Sequence, residues 1–398
     1  MPYDSQVTIA TDPAVADVVR REPFRQRGRT ALLVIFIILG AVGMVGGIVL
    51  AFVGAGDVAG AGMSFVFALI PLPLLWVSYW WLDRHEPEPR RYKFAAFVWG
   101  GVVAVAIALV LQIWIQSAYD VSDDTMASVV APLTEEPAKC LFLLLTFMRA
   151  RRVIDGFLDG LIFAGLVGIG FAFVENIGYY AASYLGSEDI KIDGPAGVTT
   201  TFIVRGVFSP LAHPLFTSAF GIAIGLAVTR KSKLAKVAIV LLGLALSIGL
   251  HAMWNASLSF GGGAGFLLVY LALAVVLLVV AAIAIVARSK QIRVLERSLS
   301  YVAQRGWIHP AEIPYLSRFT YRKAARRFAQ DHHGKEARKV VKRYQQLATE
   351  MAFLHDAMMS GRSKPNGVER TYALLDQMYA LRPDLRFPPA LQSTIRHF

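Results

Sequence analysis

Two adjacent carboxylates and an amine sit in the stretch APLTEEPAKC, residues 131–140, inside an apolar run from about Ala127 to Met148. An ionisable side chain at mid-bilayer costs roughly 2.5–3.5 kcal/mol, so Glu135, Glu136 and Lys139 need a chemical reason to be there. Glu135 and Lys139 are four apart, on one helical face, and can share a charge. Glu136 lies ~100° further round and is left over. Three more apolar runs carry polar groups: FAFVENIGYY has Glu175 beside Asn176, SPLAHPLFT has His213 with Thr217 four residues on, and HAMWN puts His251 and Asn255 four apart. Two imidazoles with carboxylates are the ligand types of a catalytic zinc, which takes three N or O protein ligands and a water. In that reading Glu175, His213 and His251 are the ligands, and Glu135 or Glu136 is the general base that takes the proton from the water. Asn255 would donate to a developing oxyanion, and Lys139 would tune the carboxylates. Each piece alone has a plainer use: a histidine in a span can donate to a backbone carbonyl, and Asn255 or Thr217 can bridge helices for about 0.6 kcal/mol. A shared depth speaks for chemistry. At a rise of ~1.5 Å per residue, Glu135, Glu175, His213 and His251 all fall ~8–15 Å inside the outer ends of their spans, two early in their run and two late.

Spans must position these residues, and the composition supplies them. A chain of 398 residues that is 56% hydrophobic and 17% charged excludes a soluble globule, and mean hydropathy is +0.51. The fold class expected is all-α, a polytopic membrane protein of about eight transmembrane helices with a small helical tail. The expected spans are about 30–53, 63–82, 94–115, 127–148, 157–180, 203–228, 237–260 and 266–287. Alternate loops hold 16 Lys plus Arg on one side and 1 on the other, so the positive-inside rule places both termini in the cytoplasm of a plasma membrane. Pro71 and Pro73 predict a kink, and Pro132, Pro137, Pro210 and Pro214 predict kinks or unwinding beside the polar groups. The single cysteine, Cys140, allows neither an intramolecular disulfide nor a cysteine-built zinc site. The expected organisation is a cytosolic N-terminal tail, 1–29, an eight-helix membrane domain, 30–287, and a basic helical cytosolic tail, 288–398. That last part holds 21 Lys plus Arg against 9 Asp plus Glu. Its basic face suits membrane lipid or a cytosolic partner, and no motif predicts nucleic-acid binding. No internal repeat is visible, which argues against inverted-repeat transporters.

EEPAK, FAFVENIGYY, HPLFT and HAMWN, in that order on successive spans, resemble the four signature blocks of the PrsW-type intramembrane proteases, within the larger group that includes the CAAX prenyl proteases. The resemblance covers roughly Phe65 to Phe260. It implies a bacterial multi-spanning protease that cuts a membrane-anchored anti-sigma factor and so starts a stress response. It also implies that Glu135 and Glu136 match the essential paired glutamates, with Glu175, His213 and His251 in the other blocks. The CAAX relatives present a histidine where this chain has Glu175, so a zinc site and a metal-free glutamate and histidine site both stay open. The expected reaction is endopeptidase cleavage of a single-pass membrane protein near the extracytoplasmic face. A non-catalytic scaffold or receptor, and an ion-coupled transporter, are the alternatives that the same polar layer allows.

Overall fold

The computed structural model describes residues 56–84, 88–149, 153, 154, 156–186, 192–259, 262–360, 367–389 and 391, with 38, 40, 43, 46 and 49. The expected tail 1–29 lies outside these residues, as does all but a few positions of the expected first span, 30–53. No strand occurs among the described residues. Six helices there are long and apolar enough to cross a membrane: α1, Val58–Leu82; α2, Arg90–Tyr119; α4, Phe157–Leu185; α5, Gly194–Val228; α6, Lys233–Ser259; and α7, Gly262–Gln304. Between α2 and α4 runs α3, Ala131–Arg149, which Glu135, Glu136 and Lys139 make too polar for that class. The protein is therefore an all-helical, multi-pass membrane protein.

By its chain contacts the protein divides into a unit within 28–287 and a second unit that contains 288–398. In the first, α4 is central. Its stretch from Leu158 to Ala172 is buried at every position, because glycines let the neighbouring backbones come close. A Cβ on Gly160 would meet the Gly221 carbonyl oxygen of α5 at 2.0 Å, and one on Gly168 would meet Pro214 Cα at 2.7 Å. Such contacts exclude any side chain larger than hydrogen and fix where α5 stands against α4. On the other flank, the Trp99 indole of α2 donates to the Ala138 carbonyl of α3 at 2.9 Å.

The prolines act unevenly. Pro210 lies in a true interruption of α5, Ser209–Leu211, between the segment up to Phe208 and the helix Ala212–Val228. Pro71 marks the turn between the two halves of α1. Pro137, by contrast, sits inside an unbroken α3. Pro132 lies where the π-helical turn Met126–Val130 passes without a break into α3, and its missing N–H takes one backbone bond out of that junction. Helix geometry instead changes at π-helical segments: Trp99–Ala104 in α2, Met126–Val130 leading into α3, and Ile203–Phe208 in α5.

The second unit has a core of its own, including Leu299, Leu316, Val340, Tyr344, Leu347, Met351 and Leu381. It is built from the end of α7, a short α8, Ile313–Ser317, then α9, Phe319–Met359, and α10, Gly367–Leu381. Gly334, with φ +84°, puts a kink in α9. A buried Glu312 ties the unit together, accepting from Tyr344 Oη at 2.6 Å and from Arg382 at 3.0 Å.

Candidate active site

On α3 the twin glutamates differ in what surrounds them. Lys139, one turn on, reaches both: its Nζ lies 2.8 Å from Glu136 Oε1 and 3.2 Å from Glu135 Oε2. The ammonium also stands 3.7 Å from the centroid of the Phe171 ring, an apolar face that excludes water and favours a cation. A shared pair of charges replaces the simple Glu135–Lys139 pair that spacing suggests. Glu136 is fully buried and its hydrogen-bonding capacity is filled. Oε1 takes Lys139 and His251 Nδ1 at 3.0 Å, and Oε2 takes Thr217 Oγ1 at 3.0 Å and Ser247 Oγ at 2.7 Å. Glu135 has only the longer Lys139 contact and the Gln112 amide at 3.3 Å. Its Oε2 faces His251 Nε2 at 3.9 Å, too far for a hydrogen bond.

The two histidines meet here from different helices, α5 and α6, with ring centroids 5.0 Å apart and planes nearly perpendicular. Each has one ring nitrogen on a carboxylate. His251 Nδ1 donates to Glu136, and His213 Nε2, 2.7 Å from Glu175 Oε2, donates there. Their other nitrogens are met by donors: Lys139 Nζ stands 3.0 Å from His213 Nδ1, and Asn255 Nδ2 stands 3.3 Å from His251 Nε2. Asn255 also donates to the Ala127 carbonyl at 2.8 Å, so its amide is committed to backbone and imidazole. Phe216 stacks on His251, with centroids 5.0 Å apart, and limits its rotation.

Glu135, His213 and His251 each offer one ligand atom within 4.8 Å of the others, and all three are buried. Glu175 does not belong to this trio. It is bound to His213 and to the guanidinium of Arg205 instead. The trio fits a metal in three respects: two nitrogens and one oxygen are a usual catalytic zinc set, three separate helices supply them, and each imidazole is oriented by a carboxylate on its far nitrogen, as metal-binding histidines usually are. For a metal to be held there, Lys139 and Asn255 must turn away from the two nitrogens they now face.

Three side chains at the site carry no expectation from the motifs: Arg205, Gln112 and Ser247. Arg205 had a signal, being a charged residue inside an expected span, as had Ser247, which precedes His251 by one turn. Gln112 in the third span had only its polarity.

Residues 88–283, a stretch that contains every side chain named at this site, match a family described as PrsW family intramembrane metalloprotease. Among curated proteins the chain is similar to Protease PrsW of Clostridioides difficile (strain 630), 26% identical over 162 residues that cover 39% of this chain and 63% of that protein. It is similar also to Protease PrsW of Geobacillus kaustophilus (strain HTA426), 27% identical over 150 residues, 37% of this chain and 60% of that protein. The chain thus spans a little under two thirds of the length of these relatives. No solved structure matches it. Over residues 88–283 the membrane unit is thus similar to the PrsW family of intramembrane metalloproteases.

Proposed function

We propose that the protein is an intramembrane endopeptidase that cuts a single-pass membrane protein near the extracytoplasmic face, with both termini in the cytoplasm. In this reading 30–287 is the protease domain, and 1–29 and 288–398 are cytosolic. The observation that carries it is the gathering of Glu135, His213 and His251, from three helices, within 4.8 Å. Glu135, His213 and His251 would hold zinc, which supplies Lewis acidity toward the scissile carbonyl and lowers the pKa of a water.

The chain's own residues do the rest. Glu136 and Glu175 orient the two imidazoles. Lys139 offsets the carboxylate charge so that the cluster can exist away from water. Glu135, the twin whose oxygens are not filled, keeps one oxygen for the metal and the other to accept a proton from the reacting water, and Glu136 is a positioning group. Asn255, once turned off His251, has a donor for the oxyanion of the tetrahedral intermediate. The substrate that the family resemblance suggests is an anti-sigma factor, which puts the protein at the start of a bacterial stress response. A metal-free variant, with Glu135 alone activating water, draws support from Lys139 and Asn255 already facing both imidazole nitrogens.

The test is co-reconstitution of the purified protein with tagged single-pass proteins, anti-sigma factors first, with zinc analysis of the same preparation. Cleavage with about one zinc per chain, both lost in His251→Ala, is the expected outcome. Cleavage by zinc-free wild type selects the metal-free variant. Cleavage unchanged in Glu135→Gln and His251→Ala sinks the proposal.

A further inference from the structure

Arg205 is a guanidinium inside a membrane helix, and its contacts are more specific than charge neutralisation requires. Its Nε donates to Asn176 Oδ1 at 2.7 Å, and its Nη2 donates to Glu175 Oε2. The guanidinium lies over the Tyr179 ring, 3.8 Å from the centroid. Glu175, Asn176 and Tyr179 are consecutive or one turn apart on α4, so one arginine grips one patch of that helix in three ways. Its own backbone is in the π-helical segment Ile203–Phe208, where the widened turn re-aims side chains.

The decisive feature is that one oxygen serves two partners. Glu175 Oε2 takes Arg205 on one side and His213 Nε2, at 2.7 Å, on the other. The carboxylate is thus pinned, and the direction of the His213 N–H is pinned with it. With Nε2 so engaged, the nitrogen that His213 presents toward Lys139 and Glu135 is Nδ1.

We infer that Arg205 is a positioning residue: through Glu175, and anchored by Asn176, it sets the ring orientation in which His213 offers Nδ1 to the metal. This rests on the proposed metal site. A lysine keeps the charge but is a single point donor and cannot span Asn176 and Glu175 as the planar fork does.

The experiment uses the full-length protein in detergent, stripped with chelator and titrated with zinc chloride against a competing dye, for wild type, Arg205→Lys and Asn176→Ala. Asn176→Ala leaves the Arg205–Glu175 ion pair intact and keeps the inference testable should Arg205→Lys fail to fold. The expected result is zinc binding about 10- to 100-fold weaker in both variants, the range usual for lost outer-shell partners, with melting temperatures close to wild type. Binding within twofold of wild type in either folded variant overturns the inference and leaves the metal site standing. A wild type that takes up no zinc overturns both together.

Discussion

The two glutamates of α3 are neighbours in sequence, yet their environments predict opposite failures when each is changed to glutamine. Glu136 accepts four hydrogen bonds, at 2.7–3.0 Å, from Lys139, His251, Thr217 and Ser247. A glutamine keeps one oxygen and turns the other into a donor, so two of those four donors meet another donor. At about 1.5–3 kcal/mol for each bond to a charged group, Glu136→Gln costs ~3–6 kcal/mol. That is a large part of the ~5–15 kcal/mol by which a domain is stable. Glu135 has only contacts at 3.2 and 3.3 Å, and a glutamine there can still pair with Gln112. Glu135→Gln therefore costs about 1–3 kcal/mol, one charged contact. Activity inverts the order. Glu135→Gln removes a proposed ligand and water-activating group, and abolishes turnover. Glu136→Gln acts through His251 and loses about 10- to 100-fold. Thermal melting in detergent, with cleavage of the same reconstituted substrate, reads both scales. A Glu136→Gln protein as stable as wild type, or a Glu135→Gln protein within tenfold of wild-type turnover, would refute the division of labour.

Packing and charge set three further outcomes. Gly168→Ala places a methyl 2.7 Å from Pro214 Cα and 2.8 Å from the His213 carbonyl carbon, so α4 and α5 must part by about 1 Å, at ~1–3 kcal/mol. The protein should fold, with turnover down ~100-fold, since a 1 Å misplacement costs about that much; wild-type turnover would show that the helices relax without moving His213. Lys139→Met strips the buried carboxylates of their cation, which should destabilise the protein by about 3–5 kcal/mol, and excess zinc should restore part of this in a melting assay. In the second unit, burial raises the Glu350 carboxyl from its ordinary value of 4.5 to about 7. Between these two pH values the folded chain holds a proton that the unfolded chain has lost, so stability is full below about pH 4.5 and falls by roughly 3 kcal/mol as pH rises to ~7. Glu350→Gln should remove that slope, read by hydrogen exchange in α9 and α10 from pH 5 to 8.

The membrane helices were legible because an apolar run of some twenty residues has few other fates. Where boundaries differ, the helix runs on past the apolar stretch into more polar sequence. The run expected at 266–287 continues to Gln304, and the one expected from Ile203 begins at Gly194. The span hardest to justify from composition, α3, is the one whose charges are shared among Glu135, Glu136, Lys139 and two histidines from other helices.

The site was legible in depth but not in rotation. A rise of ~1.5 Å per residue keeps an error of a few residues within one layer of the membrane, and that layer did bring Glu135, Glu175, His213 and His251 together. The same error turns a side chain by ~100° per residue about the helix axis, and rotation decides whether Glu135 or Glu175 joins the two imidazoles. Three π-helical segments among the described residues make the difficulty worse, because each adds a residue to a turn and shifts the register of the helix beyond it. One lies in α2 ahead of Gln112, one runs directly into Glu135 and Glu136, and one carries Arg205. A helical wheel drawn through any of them misplaces the residues on its far side. Glu175 has the type and depth of a ligand, yet its carboxylate meets His213 Nε2 and Arg205, and Arg205 itself sits in one of these π-helical turns. The deviations from regular helix fall beside the chemistry because a regular helix would not aim these side chains at a common point.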